Sequence, residues 1–327
     1  MATPEPLASA AASALAPPCT AQLLALQADM DHAQVLRQVL LSCQAQIEGN
    51  ARHIARAQFE PGHVHQLRVG LRRLRSGLRL MASKDELGLP AESLAQLNEA
   101  AARLFRQLGP AREADVLAEL WPPQLLAQIA AEFHVDGPEA RRLLQGELAP
   151  RLPAAAVARL LRSRASQALL AQLRDMIAQL PAPTVKPNKA SKSIPAGVPA
   201  LPKLHRRLRR WFLRAQLEAA DFSNLDASGR HALRKRLKRL RYGMEFCLAG
   251  HATARSQQGL PLLRQALQCL GELNDQAGAM AQLRAHASQA PAAQFALGWL
   301  AALHEQQLRQ TVPVMKALVA APLPWRD

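Results

Sequence analysis

The chain has 327 residues, 49% of them hydrophobic, which is length enough for a substantial core. Leu and Ala dominate, only 16 residues are glycine, and alternating Val/Ile/Thr runs are absent, which favours an all-α fold over any sheet architecture. The formal charge is +16, from 41 Lys and Arg against 25 Asp and Glu, and the four cysteines lie far apart without a CxxC pair, which argues against a disulfide framework.

Residues 1–19 are rich in Ala and Pro and read as a disordered tail. The first residues, Met-Ala-Thr-Pro-Glu-Pro, carry Glu5 and no basic run, unlike a secretory signal. No uncharged apolar stretch approaches the length of a membrane span, so a cytoplasmic protein is expected. Periodicity predicts a long helix over about 20–59, a turn at Pro61-Gly62, and a basic helix to about 82. Helices follow over 91–108, 112–132, 138–149 and 154–180, punctuated by prolines. Residues 181–202 are a Pro-rich connector, after which helices are expected over 203–220, 227–249, 255–270, 274–288 and 291–319. The chain therefore divides into a first helical half, 20–180, and a second, 203–320.

The positive charge is concentrated. Windows 63–81, 203–214 and 230–241 hold 18 of the 41 cations and no acid, where an even spread would give about five. In the first window cations fall 3, 7, 10 and 14 residues after His65, at Arg68, Arg72, Arg75 and Arg79. In the third they fall 3, 7 and 10 after His231, at Arg234, Lys238 and Arg241. Steps of three and four keep one helix face in register, so each window carries a ridge of charge, the first roughly 21 Å long. The sequence Leu108-Gly109-Pro110-Ala111-Arg112-Glu113 is echoed by Leu270-Gly271-Glu272-Leu273-Asn274-Asp275. The ridges are offset by 166 residues and these segments by 162, which points to a duplicated helical unit. Two antiparallel helical bundles related by a pseudo-twofold axis would bring the ridges together around a basic channel.

On a helical wheel Leu67, Leu71, Leu74, Leu78 and Met81 form an apolar seam in the first copy, and Leu233, Leu237, Leu240 and Met244 in the second. The ridges lie about 110° round from the seams, where neighbouring helices can wall them in. Arg73, Lys235 and Arg239 point to the other flank and are secondary candidates. The 203–214 helix adds a third ridge of Lys203, Arg206, Arg207, Arg210 and Arg214, beside a seam of Leu204, Leu208, Trp211 and Ala215. Arginine suits phosphate because its planar fork makes bidentate, charge-assisted hydrogen bonds.

A single basic helix face is ordinarily a solvated surface; three acid-free ridges, two headed by histidine, favour a site for a polyvalent anion. Aromatics are scarce, with one Tyr, four Trp and seven Phe, which disfavours the stacking platforms of single-stranded nucleic-acid binders and leans toward phosphate without bases. A metal between the histidines, with His63 nearby, is disfavoured because the arginines would repel it and no Asp, Glu or Cys completes a set. No phosphate-binding loop, nucleophile elbow or HExxH pair is present, so no cofactor and no catalytic set are expected. Glu113, Asp115 and Asp275 follow the Leu-Gly segments and read as helix caps, with pinning of ridge arginines the alternative.

These residues resemble the CHAD family, the conserved histidine α-helical domain. The resemblance rests on Val64-His65-x-x-Arg68-Val69-x-x-Arg72-Arg73-Leu74-Arg75 and on His231-x-Leu233-Arg234-x-x-x-Lys238-Arg239-Leu240-Arg241-Tyr242. Leu108-Gly109 with Arg112-Glu113-x-Asp115, and Leu270-Gly271-x-Leu273-Asn274-Asp275, support it. It implies two four-helix bundles around a basic central channel that binds long-chain inorganic polyphosphate without catalysis, with the histidines and ridge cations named above as ligands. It also implies a polyphosphate or polyhydroxyalkanoate storage granule as a further partner. The Glu-x-Glu-x-Lys signature of the CYTH domain found in many relatives is absent, so no phosphohydrolase activity transfers. The rival readings are a nucleic-acid-associated polyanion binder and a granule scaffold. Histidines beside a polyanion would gain charge, so binding should strengthen as pH falls toward about 6.5.

Overall fold

The computed structural model describes residues 15–22, 24, 26–81, 89–111, 121, 123–145, 152–182, 199–248, 254–286 and 291–323. Among them the regular structure is helical, with no strand. The helices are α1 (His32–Ala55), α2 (Pro61–Met81), α3 (Ala91–Gln107), α4 (Pro123–Glu132), α5 (Gly137–Gln145), α6 (Ala154–Arg162) and α7 (Arg164–Gln179). After the connector, most of which lies outside the described residues, come α8 (Leu201–Ala220), α9 (Ala227–Leu248), α10 (Ala254–His286) and α11 (Pro291–Ala320). None of these helices is long and apolar enough to cross a membrane.

The first helix starts twelve residues later than the periodicity suggests. Asp31 ends the preceding segment with a capping box: its carboxylate accepts from the Gln34 amide at 2.8 Å, and its own N–H donates to the Gln34 side chain at 3.1 Å. The chain before it is an irregular strap along α1. Asn50 holds Cys19 by two hydrogen bonds, Ser42 donates to the Gln22 carbonyl, and Leu24, Leu26 and Met30 are buried. Apolar spacing was satisfied there by an extended segment packed on a helix, not by helical turns. The expected helix 154–180 is divided at Ser163, whose extended backbone ends α6 and whose hydroxyl caps α7.

A larger difference concerns the second Leu-Gly segment. Where two helices and a turn at Gly271 were expected, α10 runs unbroken from Ala254 to His286. Its Gly271 is a packing residue. A Cβ there would come within 3.2 Å of the Arg234 guanidinium, so the missing side chain lets Arg234 lie across the helix.

The apolar seams of α2 and α9 are buried as the spacing predicts, from Leu67 to Met81 and from Leu233 to Met244. Helix α2 packs against α1, α3 and α9, and α9 packs against α8, α10 and α2. One continuous core runs through both groups of helices. A smaller apolar cluster joins α4 and α5 to the ends of α10 and α11, around Leu125, Ile129, Ala296 and Leu300. At the junction of α1, α2 and α9 the backbones approach closely at Gly77, where a Cβ would lie 2.6 Å from Val39 Cγ1 and 3.5 Å from Phe246.

Two alanine substitutions test this packing. Gly77→Ala should lose about 1–2 kcal/mol, because overpacking against a stiff, fully buried valine exceeds the gain in helix propensity. Gly298→Ala, on an exposed face of α11 with open space around it, should instead gain up to about 1 kcal/mol. Urea unfolding of both variants checks the pair; a stabilised Gly77→Ala chain would mean that the contact is not tight.

Candidate functional site

The outward sides of α2 and α9 face each other across a cavity of about 640 Å³, closed by residues of α3 and α10. From α2 come His65, Arg68, Val69, Arg72, Arg75, Ser76 and Arg79, and from α9 His231, Arg234, Lys235, Lys238 and Arg239. Helix α3 adds Asn98 and Phe105; α10 adds Asn274, Asp275, Gly278, Ala279 and Gln282. Both histidines and eight Arg and Lys side chains, six of them from the ridges, are thus assembled in one place. Lys235 and Arg239, assigned by the wheel to the other flank, are among them.

Other cations lie elsewhere. Arg73 is 3% exposed between α1, α2 and α9, where it donates to Gln46 at 3.0 Å and to Ser42, with its guanidinium 5.1 Å from the Phe246 ring centre. Arg241 is held by Glu245 at 2.8 Å and stacks on Tyr242, outside the cavity lining. The α8 ridge does not line the cavity: Lys203, Arg206, Arg210 and Arg214 are exposed, and Arg207 donates to the Leu80 carbonyl. His63 is turned toward α1, accepting from the Glu60 amide at 3.2 Å and standing 5.1 Å from the His53 ring. Among the described residues no group of three or more His, Cys, Asp or Glu is arranged to hold a metal ion.

The cavity arginines are oriented mostly by neutral partners. Arg68 donates to the Phe105 carbonyl at 2.8 Å and lies 4.1 Å over that ring, with Arg72 5.1 Å from the same ring centre. Arg75 donates to the Asn98 side-chain oxygen at 3.4 Å. His231 Nδ1 and Asn274 Oδ1 are 2.5 Å apart. Arg234 crosses Gly271, and its Nε is buried without a hydrogen-bond partner among the described residues.

Asp275 is the only acid in the lining among the described residues, and it sits in mid-helix, which overturns its reading as a cap. Glu113 and Asp115 lie outside the described residues. Sequence reasoning missed Asn274, Gly278 and Gln282, because a turn was placed at Gly271. Continuing the helical wheel through that glycine puts 271, 274, 275, 278 and 282 on one face.

Among the described residues the cavity lining carries many more cations than acids. Burial pushes the Lys238 ammonium down to about 6; Arg72 and Arg234 push the same way, Asp275 opposes them and Arg241 adds to them. Arg234 is lowered by burial, with Asp275 opposing and Arg72 reinforcing. Arg75 is lowered by burial and by Arg79, partly offset by Glu99, and Arg239 by burial, Arg79, Arg236 and Arg75. An anion entering the cavity would oppose the like-charge part of these shifts.

A family model described as the CHAD domain matches residues 38–284 of the chain. The crystal structure of the CHAD domain from the plant Ricinus communis is similar over 94% of this chain and 98% of the plant chain, with 27% sequence identity and a TM-score of 0.67. No curated protein matches.

Lys238 makes stability depend on pH. Its folded value of about 6 lies below the ordinary 10.5, so between these limits the folded chain binds fewer protons than the unfolded one. Stability should rise with pH through that window, and the penalty is complete below about 6. Lys238→Met, measured without polyanion, should raise the urea midpoint most near pH 6 and progressively less toward pH 10. A difference that does not change with pH would contradict the assignment.

Proposed function

The chain belongs to the CHAD domain family, and we propose that it binds inorganic polyphosphate, without cleaving it, in the cavity between α2 and α9. The observation that carries this reading is the charge of that cavity: among the described residues, eight Arg and Lys side chains and two histidines line it with one carboxylate. Such a lining favours a ligand with many closely spaced negative charges and no apolar body. Arg forks would take phosphate oxygens in pairs, and Lys238 would recover its proton as the polyanion enters.

The nucleic-acid reading is less well supported. Among the described residues Phe105 is the one Phe, Tyr or Trp in the lining, and Arg68 and Arg72 lie against its ring, where a base would have to stack. Association with a storage granule would follow from polyphosphate held there, in a soluble, cytoplasmic setting. Granule targeting that survives loss of polyphosphate binding would instead favour a scaffold role.

The test is a titration with polyphosphates of defined length across a salt series. Long chains should bind far more tightly than triphosphate or sulfate at about 150 mM salt. With six or more phosphates contacted, affinity should fall roughly a thousandfold between 50 and 200 mM salt. Arg72→Glu combined with Lys238→Glu should weaken binding by at least about a hundredfold, and no phosphate should be released in any of these incubations. Long chains binding no better than sulfate would refute the proposal, and DNA displacing polyphosphate at equal phosphate concentration would favour the rival.

A further inference from the structure

The α8 ridge was expected to wall the cavity and does not, yet it is attached to the cavity's edge. Arg239 lines the cavity, and its guanidinium lies 6.0 Å from the ring centre of Trp211 on α8. Arg236, in electrostatic contact with Arg239, pairs with Glu218 of α8 at 2.8 Å, and the other oxygen of that carboxylate takes Arg214 at 3.5 Å. On the α2 side, the residue after Arg79 supplies the carbonyl to which Arg207 donates. The cavity rim at Arg79 and Arg239 is therefore continuous with the near flank of α8.

From that flank the cations continue around the helix. Taking ~100° per residue, Trp211, Glu218 and Arg207 face α9 and α2, and Arg214, Lys203, Arg210 and Arg206 follow in order within about 120°. All four are exposed, and α8 carries no acid before Glu218. The buried side, centred on Leu208 and Phe212, is the opposite one. A row of like charges with such an opening at one end suits a ligand that is already held at that end.

We propose that α8 forms an outer track for the same polyanion: a chain too long for the cavity leaves it between Arg79 and Arg239 and lies along Arg214, Arg210 and Arg206. This inference rests on the polyphosphate reading of the cavity and assigns part of the chain-length preference to a helix outside it. Leu213 and Leu217 are also exposed beside the track, 40% and 74%, which gives an anionic lipid surface as the competing occupant. Continuity with the cavity rim favours polyphosphate.

The experiment uses the full chain, an Arg206→Gln/Arg210→Gln variant, and Arg72→Gln as the cavity control. The track variant should bind triphosphate as the wild type does, bind long-chain polyphosphate roughly tenfold more weakly, and show a salt slope for the long chain smaller by about two. Arg72→Gln should weaken both lengths. Unchanged long-chain affinity in the track variant, with Arg72→Gln impaired, would overturn the track and leave the cavity standing. Equal weakening at both lengths would also overturn it, because α8 would then not act as an extension. No effect of Arg72→Gln at either length would remove the cavity reading and the track with it. Phosphatidylglycerol/phosphatidylcholine vesicles binding the wild type but not the track variant, with long-chain affinity unchanged, would give the surface to lipid and refute the proposal.

Discussion

Like charges repel, and α2 and α9 hold eight cationic side chains around one opening, with one carboxylate in the lining among the described residues. They are kept there by the opposite sides of the same helices. The nine leucine and methionine residues of the two seams are buried, and burial of each is worth about 1.5–3 kcal/mol. A pair of close cations near a protein surface costs on the order of 4 kcal/mol at 4 Å and less when farther apart or hydrated. Leucine packing therefore sets where the ridges stand, and the arginines accept the position. Arg73 shows what happens to a cation on the wrong side of this arrangement: it is drawn into the junction and used to satisfy Gln46 and Ser42.

The way the cavity arginines are held follows from the same conflict. A carboxylate partner would orient a guanidinium and also cancel its charge. A carbonyl, an amide oxygen or an aromatic face orients it and leaves the charge available. Arg75 on the Asn98 side-chain oxygen is of the second kind, and Arg68 has the Phe105 carbonyl and ring among its partners. Outside the cavity the pairing reverses. Arg241, Arg214, Arg236 and Arg106 each have a glutamate.

Much of this was legible in the chain itself. Leucine spacing located both seams, and the three-and-four steps located eight of the ten basic groups that line the cavity, because both are local properties of one helix. What could not be read is what stands opposite each ridge. On the wheel the α8 ridge looks like the α2 ridge, but α2 faces α9 while α8 turns its cations outward. That difference is a tertiary pairing, made by residues far apart in sequence. Taking Trp211 for a seam residue also hid it: Phe212 is the side chain that is fully buried, and Trp211 lies at the flank against Arg239. Gly271 misled for a related reason. Glycine marks turns in isolated segments, but within a bundle it equally marks the place where a neighbour's side chain must pass.

That second role explains why the cavity has room at all. Across from the two basic walls, α10 presents Gly271, Asn274, Asp275, Gly278 and Ala279 on successive turns, all small side chains. A Cβ at Gly278 would meet nothing within 4 Å, whereas one at Gly271 would press on Arg234. Had leucine occupied this face, as it does on the seams, the space would be core and the ridges would have to turn to solvent. The same strip carries Asp275, which partly offsets the positive field at Arg234 and Lys238. One face of one unbroken helix thus determines both how much space the cavity has and how much of its charge is left unanswered, although it contributes none of the cations.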